Sequence, residues 1–255
     1  MPVETRHLTL YAPDTFPEIK PQDSLPQILA RSFANAEGGL QGGDILVLAQ
    51  KIVSKSEGRQ IELSSICPSS KALDLARETG KDARLVELIL RESTEIVRKR
   101  PGLIIARHRN GYVTANAAID LSNAGARNTA VLLPSDPDAS AKSIAEGLKK
   151  ITGLFIAIII IDSMGRAWRN GTIGTAIGCY GIPALLNCRG QFDRDGFELQ
   201  TSEIAIADEI ASAASLLMGQ GNEGLPAVMV RGLRWATGEG AAAELVRSRK
   251  QDLFN

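Results

Sequence analysis

The run Phe155-Ile156-Ala157-Ile158-Ile159-Ile160-Ile161 restricts how this chain can fold more than any other feature. β-Branched side chains are stiff in a helix and pack well on a pleated surface, so the run predicts a strand buried on both faces. From Leu154 to Ile161 the apolar stretch is eight residues long, too short to cross a bilayer. It ends abruptly at Asp162, which predicts the end of the strand. A carboxylate avoids such surroundings without a partner. A metal is one candidate partner, and Arg166 or Arg169 is another.

Around this strand, helix and strand signals alternate. Ile45–Ala49 reads as a second buried strand, and Ala227 to Val230 as a third. Ser69-Ser70 caps a long charged segment, Lys71 to Arg98, which predicts one helix stopped by Pro101-Gly102. Leu103–Ala106 and Tyr112–Ala115 flank Arg109-Asn110-Gly111, a hairpin signal. Ser135-Asp136-Pro137-Asp138 supplies caps for a helix over Ala139–Ile151. Glu203 to Met218 has helical apolar spacing and ends at Gly219. The class expected is α+β (mixed α/β), with no Pro- or Ser-rich linker dividing it.

With 255 residues, the chain suits one large domain or two closely joined ones. Lys plus Arg equals Asp plus Glu at 29 each, so no charge excess points to nucleic acid or a membrane surface. Cys67, Cys179 and Cys188 are odd in number and include no CxxC, which fits a reducing cytoplasm rather than a disulfide framework. Met1 to Tyr11 has no long apolar run, so no signal peptide is expected.

Several segments put polar groups at strand ends or glycine turns. Gln50 to Arg59 follows a predicted strand and reads as a charged loop. Its Lys51 and Lys55 can neutralise phosphate and its Glu57 can bind metal or substrate, or it is simply solvated. Asn116 to Asn123 carries Asp120 among amides, the oxygen ligands that Mg²⁺ or Mn²⁺ prefers; an Asx turn would use the same residues. Repulsion between Asp120 and Asp162, brought within about 4 Å, is on the order of 4 kcal/mol at an effective dielectric near 20, and a divalent cation would offset it. Gly219 to Gly224 spells GxGxxG. It follows a helix and precedes a strand, the reverse of a dinucleotide fingerprint, but its backbone can still approach phosphate, or it is a plain cap and turn. Phe16 to Lys20 can line a pocket. There is no GxxxxGK[ST], HExxH or GxSxG. His7 and His108 read as surface residues, and Trp168 and Trp235 as packing residues.

Taken together and in order, GDILVLAQKIVSKSEGR, NAAIDLSN, LLPSDPDASA, IIDSMGRAWRNGTIGTAIG and ADEIASAASLLMGQGNEGLPAVMVRG resemble the coenzyme F420-0:L-glutamate ligase family, from about Phe16 to Arg234. The resemblance implies that family's fold with two interwoven subdomains, residues 1–255 forming one catalytic domain without the nitroreductase-like extension of some relatives. It implies a homodimer that adds L-glutamate to a deazaflavin precursor, with GTP as co-substrate, Mg²⁺ or Mn²⁺, and K⁺. By the same resemblance, GTP would meet Thr15, Phe16, Pro17, Glu18, Gln50, Lys51, Lys55, Asn123 and the loop Met218, Gly219, Gln220, Gly221, Asn222, Glu223, Gly224 and Leu225. Metal would meet Asp120, Asp162, Ser163 and Gln220, and Lys55, Asp120 and Asp162 would carry the chemistry. Gln220 stands where some members have Glu, and Ala118 where a glycine is common. Three alternatives stay open: a related acid–amine ligase, a metal-dependent phosphohydrolase, and a binding module without turnover. No NKxD-like guanine reader occurs, so GTP over ATP rests on the resemblance.

Overall fold

The apolar run becomes a strand with buried neighbours on both sides and helices on both faces. The computed structural model describes residues 7–36, 38–125, 128–235 and 238–252. In chain order, its first half contains β1 (Thr9–Tyr11), α1 (Leu25–Ser32), β2 (Ile45–Ala49), α2 (Gln50–Ser56), β3 (Gln60–Glu62), α3 (Ser70–Thr79), α4 (Ala83–Glu92), β4 (Ser93–Arg100), β5 (Leu103–His108) and β6 (Val113–Ala115). Then come β7 (Thr129–Val131), α5 (Pro137–Thr152), β8 (Ala157–Arg166), β9 (Arg169–Tyr180), β10 (Leu186–Asn187), β11 (Glu203–Ile204), α6 (Ile206–Met218) and β12 (Ala227–Arg231).

The central sheet has the order β1-β12-β2-β8-β9. Only β2 and β8 are parallel, in a register that runs from Ile45 opposite Ala157 to Ala49 opposite Ile161. Side chains alternate along both strands. Leu46, Leu48, Ile158 and Ile160 face a core built with α1 and α5. Ile45, Val47, Ile159 and Ile161 face the other side, where Ala207, Ala211 and Ala214 of α6 lie. A third core gathers Leu75, Val86, Leu88, Ile89, Ile104 and Leu132 beneath α3, α4 and the β4-β5-β6 sheet. The chain thus leaves the central sheet after α2, builds a second packing unit, and returns through α5. The fold is α+β. None of the described helices is long and apolar enough to cross a membrane.

The segment Lys71–Arg98 is not one helix. Gly80 adopts φ +67 and ends α3, Asp82 accepts the Arg84 N–H to start α4, and Ser93–Arg100 extends to pair with β5. Pro101-Gly102 is the turn of that hairpin, with Gly102 at φ +80. The strand over the apolar run also does not stop at Asp162. It continues to Arg166 because β9 supplies pairing partners, Thr175 opposite Asp162 and Thr172 opposite Gly165. Gln50–Ser56 is a helix rather than a loop. His108 is buried beside Glu92, not on the surface. Trp168, at the tip of the β8–β9 ribbon, is 86% exposed, whereas Trp235 packs inward and donates to the Gly181 carbonyl. The three cysteines are free thiols.

Strand β9 is one edge of the sheet, and side chains rather than another strand satisfy it. Asp208, in the first turn of α6, accepts the Ala176 N–H at 2.8 Å; Asp138, in the first turn of α5, accepts the Cys179 N–H at 2.7 Å. Ser212 and Ser215 serve the carbonyl and N–H of Gly174, and the Tyr112 hydroxyl donates to the Ile177 carbonyl at 2.6 Å. The helices come this close because glycines face them. A Cβ on Gly174 would lie 2.4 Å from the Ala211 carbonyl oxygen, and one on Gly178 2.4 Å from that of Pro137. Backbone cannot retreat as a flexible side chain can, so Gly178→Ala should destabilise the protein by about 1–3 kcal/mol. Urea denaturation would read this as a lower midpoint with an unchanged slope, and an unchanged midpoint would contradict the packing.

Candidate functional site

A cavity of about 1050 Å³ opens at the carboxyl ends of the parallel strands. Ligands collect at such ends because the chain leaves the sheet there and places fresh side chains around a crevice. The β2–β8 register decides what meets. Ala49 lies opposite Ile161, so the next residues, Gln50 and Asp162, flank the same opening.

From Gln50 the chain turns directly into α2, which carries Lys51 and Lys55 one turn apart on a single face. Lys51 Nζ contacts Asp120 Oδ2 at 2.6 Å and Ser122 Oγ at 3.0 Å. Lys55 is buried and pairs with Glu18 at the cavity rim. Gln50 is buried; its Oε1 accepts the Ser54 hydroxyl, while its Nε2 has no hydrogen-bond partner among the described residues. Asn116 Oδ1, also on the cavity wall, has none either. Buried polar atoms left this way cost stability.

Asp120 is delivered by an unusual stretch. Asn116, Ala117 and Ala118 all have positive φ, at 52°, 53° and 56°. Left-handed backbone costs roughly 1–2 kcal/mol for each non-glycine residue, so this turn stores strain beside the cavity. It also gives a reason for glycine in place of Ala118: glycine adopts this φ without a Cβ clash. Asp120 is then clamped by reciprocal backbone hydrogen bonds to Val131.

The two acids are in unlike electrostatic states. Burial works to raise the Asp120 pKa. The Lys51 ammonium and the Ser122 N–H and hydroxyl outweigh it and hold the carboxyl below its ordinary range. Asp162 is pushed up to about 6, chiefly by burial; the Ser163 N–H opposes the rise, the Asp120 carboxylate adds to it, and Lys51 reduces it. The repulsion between the two carboxylates is therefore felt, and a single lysine answers it. Among the described residues no three His, Cys, Asp or Glu side chains cluster. A cation here would rest on the two carboxylates with Ser163 and Gln220 oxygens, an all-oxygen set that suits a hard divalent ion.

The glycine loop closes the far side. It follows α6 and leads into β12, with Gly219 and Gly224 at φ +70 and +71. The N–H groups of Glu223, Gly221 and Gln220 hold the Glu223 carboxyl below the usual carboxylate range, and Gly221 N–H donates to Glu223 Oε2 at 2.8 Å. Convergent backbone amides of this kind form an anion cradle. Asn123 Nδ2 donates to the Gly221 carbonyl at 3.3 Å and ties the loop to the Asp120 segment.

The residues expected to meet nucleotide and metal thus line one cavity, except Thr15, which is exposed and outside its wall; Glu57, which accepts the Ser140 hydroxyl, and Arg166 and Arg169, offered as partners of Asp162, are not on that wall. Thr114, Thr172 and Ser215 also line it. Sequence reasoning missed them, since nothing local separates them from ordinary strand and helix residues.

Asp162 yields a sign that can be checked. A free Asp ionises near 3.8, but Asp162 keeps its proton to about 6. The folded state therefore binds more protons between these values, so stability falls as pH rises from about 3.8 to about 6, and the loss persists above. In chelator, Asp162→Asn should stabilise the protein at pH 8 by up to about 3 kcal/mol and give no gain at pH 3.5. Equal effects at both pH values, by urea denaturation, would refute the buried-charge account.

Comparison with known proteins bears on the chain as a whole. Residues 15–232 match the family model described as F420-0:Gamma-glutamyl ligase. The coenzyme F420:L-glutamate ligase of Methanothermobacter thermautotrophicus is 42% identical over 249 residues, covering 97% of this chain and 98% of that protein. The enzyme of the same name from Methanopyrus kandleri is 44% identical over 241 residues, 93% of each chain. That from Methanocaldococcus jannaschii is 42% identical over 219 residues, 86% of this chain and 87% of the other. With a match this long and relatives this similar, the chain belongs to the F420-0:gamma-glutamyl ligase family and is an enzyme of the acid–amino-acid ligase type.

Proposed function

We propose that this protein adds L-glutamate to the deazaflavin precursor coenzyme F420-0, using GTP and a divalent cation. The observation that carries this reading is the convergence in one cavity of two carboxylates, two lysines of α2 and an amide-lined glycine loop. Such a site suits phosphoryl transfer, where the protein mainly positions groups and balances charge.

In the reaction, a substrate carboxylate oxygen attacks the γ-phosphorus of GTP. The new P–O bond forms as the bond to the β-phosphate oxygen breaks, leaving GDP and an acyl phosphate. The glutamate amine then attacks the acyl carbon, loses a proton, and expels inorganic phosphate to leave an amide. Lys55, and Lys51 once released from Asp120, balance charge on the phosphates. The amides of Gln220, Gly221 and Glu223 are placed to receive a phosphate oxygen where the Glu223 carboxylate now sits. Asp120, Asp162, Ser163 and Gln220 would hold the cation, which would supply positive charge to offset that of the phosphates. Lys51 balances the Asp120 charge at 2.6 Å, and a cation on Asp120 would take over that role.

Mass spectrometry of F420-0 incubated with the protein, glutamate, GTP and Mg²⁺ or Mn²⁺ should show a gain of one or more glutamyl units, with less product from ATP. Phosphate release without mass gain would favour a phosphohydrolase, and tight binding without either a module lacking turnover. Asp162→Ala should lower kcat/KM on the order of 100-fold or more while the protein still folds and melts cooperatively. Near-normal amide formation by this variant would remove Asp162 from the proposed machinery.

A further inference from the structure

A second cavity, of about 430 Å³, adjoins the first. Its walls come from the β5–β6 hairpin, the outer part of the β8–β9 ribbon, the first turn of α6, and the segment from Leu245 to Asp252. Gly165 lines both cavities, and a Cβ built on it would meet nothing within 4 Å. The space over Gly165 is therefore open, and the two cavities border each other there.

The second cavity has a distinctive charge pattern. Arg107, Arg166 and Arg247 line it together with Asp208 and Asp252. Arg107 is 8% exposed, with one terminal nitrogen 3.3 Å from Asp252 Oδ2. Its Nε is 3.6 Å from Glu95 Oε2, beyond hydrogen-bond reach, and finds no partner among the described residues. Arg166 Nε is likewise buried without a hydrogen-bond partner. Both Nε atoms lie beneath the cavity surface, but a guanidinium presents its remaining donors in a planar fork that matches a carboxylate, so two arginines in one cavity wall suit a ligand with carboxylates. A fully anionic ligand would meet repulsion from Asp208 and Asp252. A ligand with carboxylates for the arginines and an ammonium for an aspartate would not.

We infer that this second cavity is the subsite for the amino dicarboxylate substrate. Its carboxylates face Arg107 and Arg166, its ammonium faces Asp208, and its reacting end is directed over Gly165 toward the main cavity. The inference rests on the ligase reading above and deepens it by assigning the amine donor a place outside the nucleotide site. The volume suits a small polar ligand, within the range of ordinary small-molecule pockets.

The test compares Arg166→Gln, Arg166→Lys and Gly165→Val with the parent protein in the ligation assay. Arg166→Gln should raise KM for glutamate about tenfold or more, with KM for GTP and the melting midpoint nearly unchanged. Arg166→Lys, which keeps the charge but not the fork, should recover part of the loss. Gly165→Val, which fills the shared opening, should also impair use of glutamate. An unchanged KM for glutamate in Arg166→Gln would overturn the inference. A rise in KM for the deazaflavin precursor alone would overturn it too, assigning the cavity to the acceptor. Line broadening of ¹³C-labelled L-glutamate on adding protein, present with the parent and lost with Arg166→Gln, reads the cavity without turnover. Absence of ligation by the parent protein would thus count against the proposed function, and absence of that binding difference against the subsite.

Discussion

The parallel pairing of β2 with β8 is the constraint on which the rest depends. Parallel strands need a long connection, and this chain uses its connection to build the α3, α4 and β4-β5-β6 unit before returning through α5. The pairing also brings both strands to the opening side by side. One strand hands the chain to α2 and its two lysines. The other continues past the end of β2, still paired with β9, and carries Asp162 and Ser163 along the cavity wall. A shift of one residue would turn every buried side chain of β8 to the wrong face, so the two cores hold the site in register as surely as its own hydrogen bonds do.

Within this frame the site is short of positive charge. Lys51 answers Asp120, while Asp162 has burial and a neighbouring carboxylate against it and only the Ser163 N–H and Lys51 in its favour. The left-handed turn at Asn116–Ala118 and the Glu223 carboxylate inside its own loop point the same way. The cavity is assembled at some cost in free energy, and the surrounding cores supply it.

Some of this was legible in the sequence, for physical reasons that differ by element. The Phe155–Ile161 run announced a strand, which begins only at Ala157, because both faces of Ala157–Ile161 are buried and neither could tolerate polar residues. The β9 segment did not, since close contact with α5 and α6 demands glycine at 174 and 178, and glycines read as turns. Helix α2 begins straight after a strand with no side-chain cap, so it carried no start signal. The break in Lys71–Arg98 was written in Gly80 and Asp82, but the helix-forming residues around them concealed it. His108 is buried against Glu92, a carboxylate also shared with Arg59 and Arg109, and such a network leaves no local trace. Asp120 and Asp162 were visible as residue types. Their nearness was not, because it is set by sheet register and by a turn of three left-handed residues.

The treatment of β9 has a consequence for what this protein can attach to. A bare edge strand is an open template for any other extended chain. Here the outward donors at Gly174, Ala176 and Cys179, and the acceptors at Gly174 and Ile177, are already engaged by side chains from both layers of helix and from the β5–β6 hairpin. A strand arriving from outside would have to evict two aspartates and a tyrosine before forming its first rung. Lateral growth of the sheet is closed on this side, and whatever meets this flank must meet it through side-chain shape and charge.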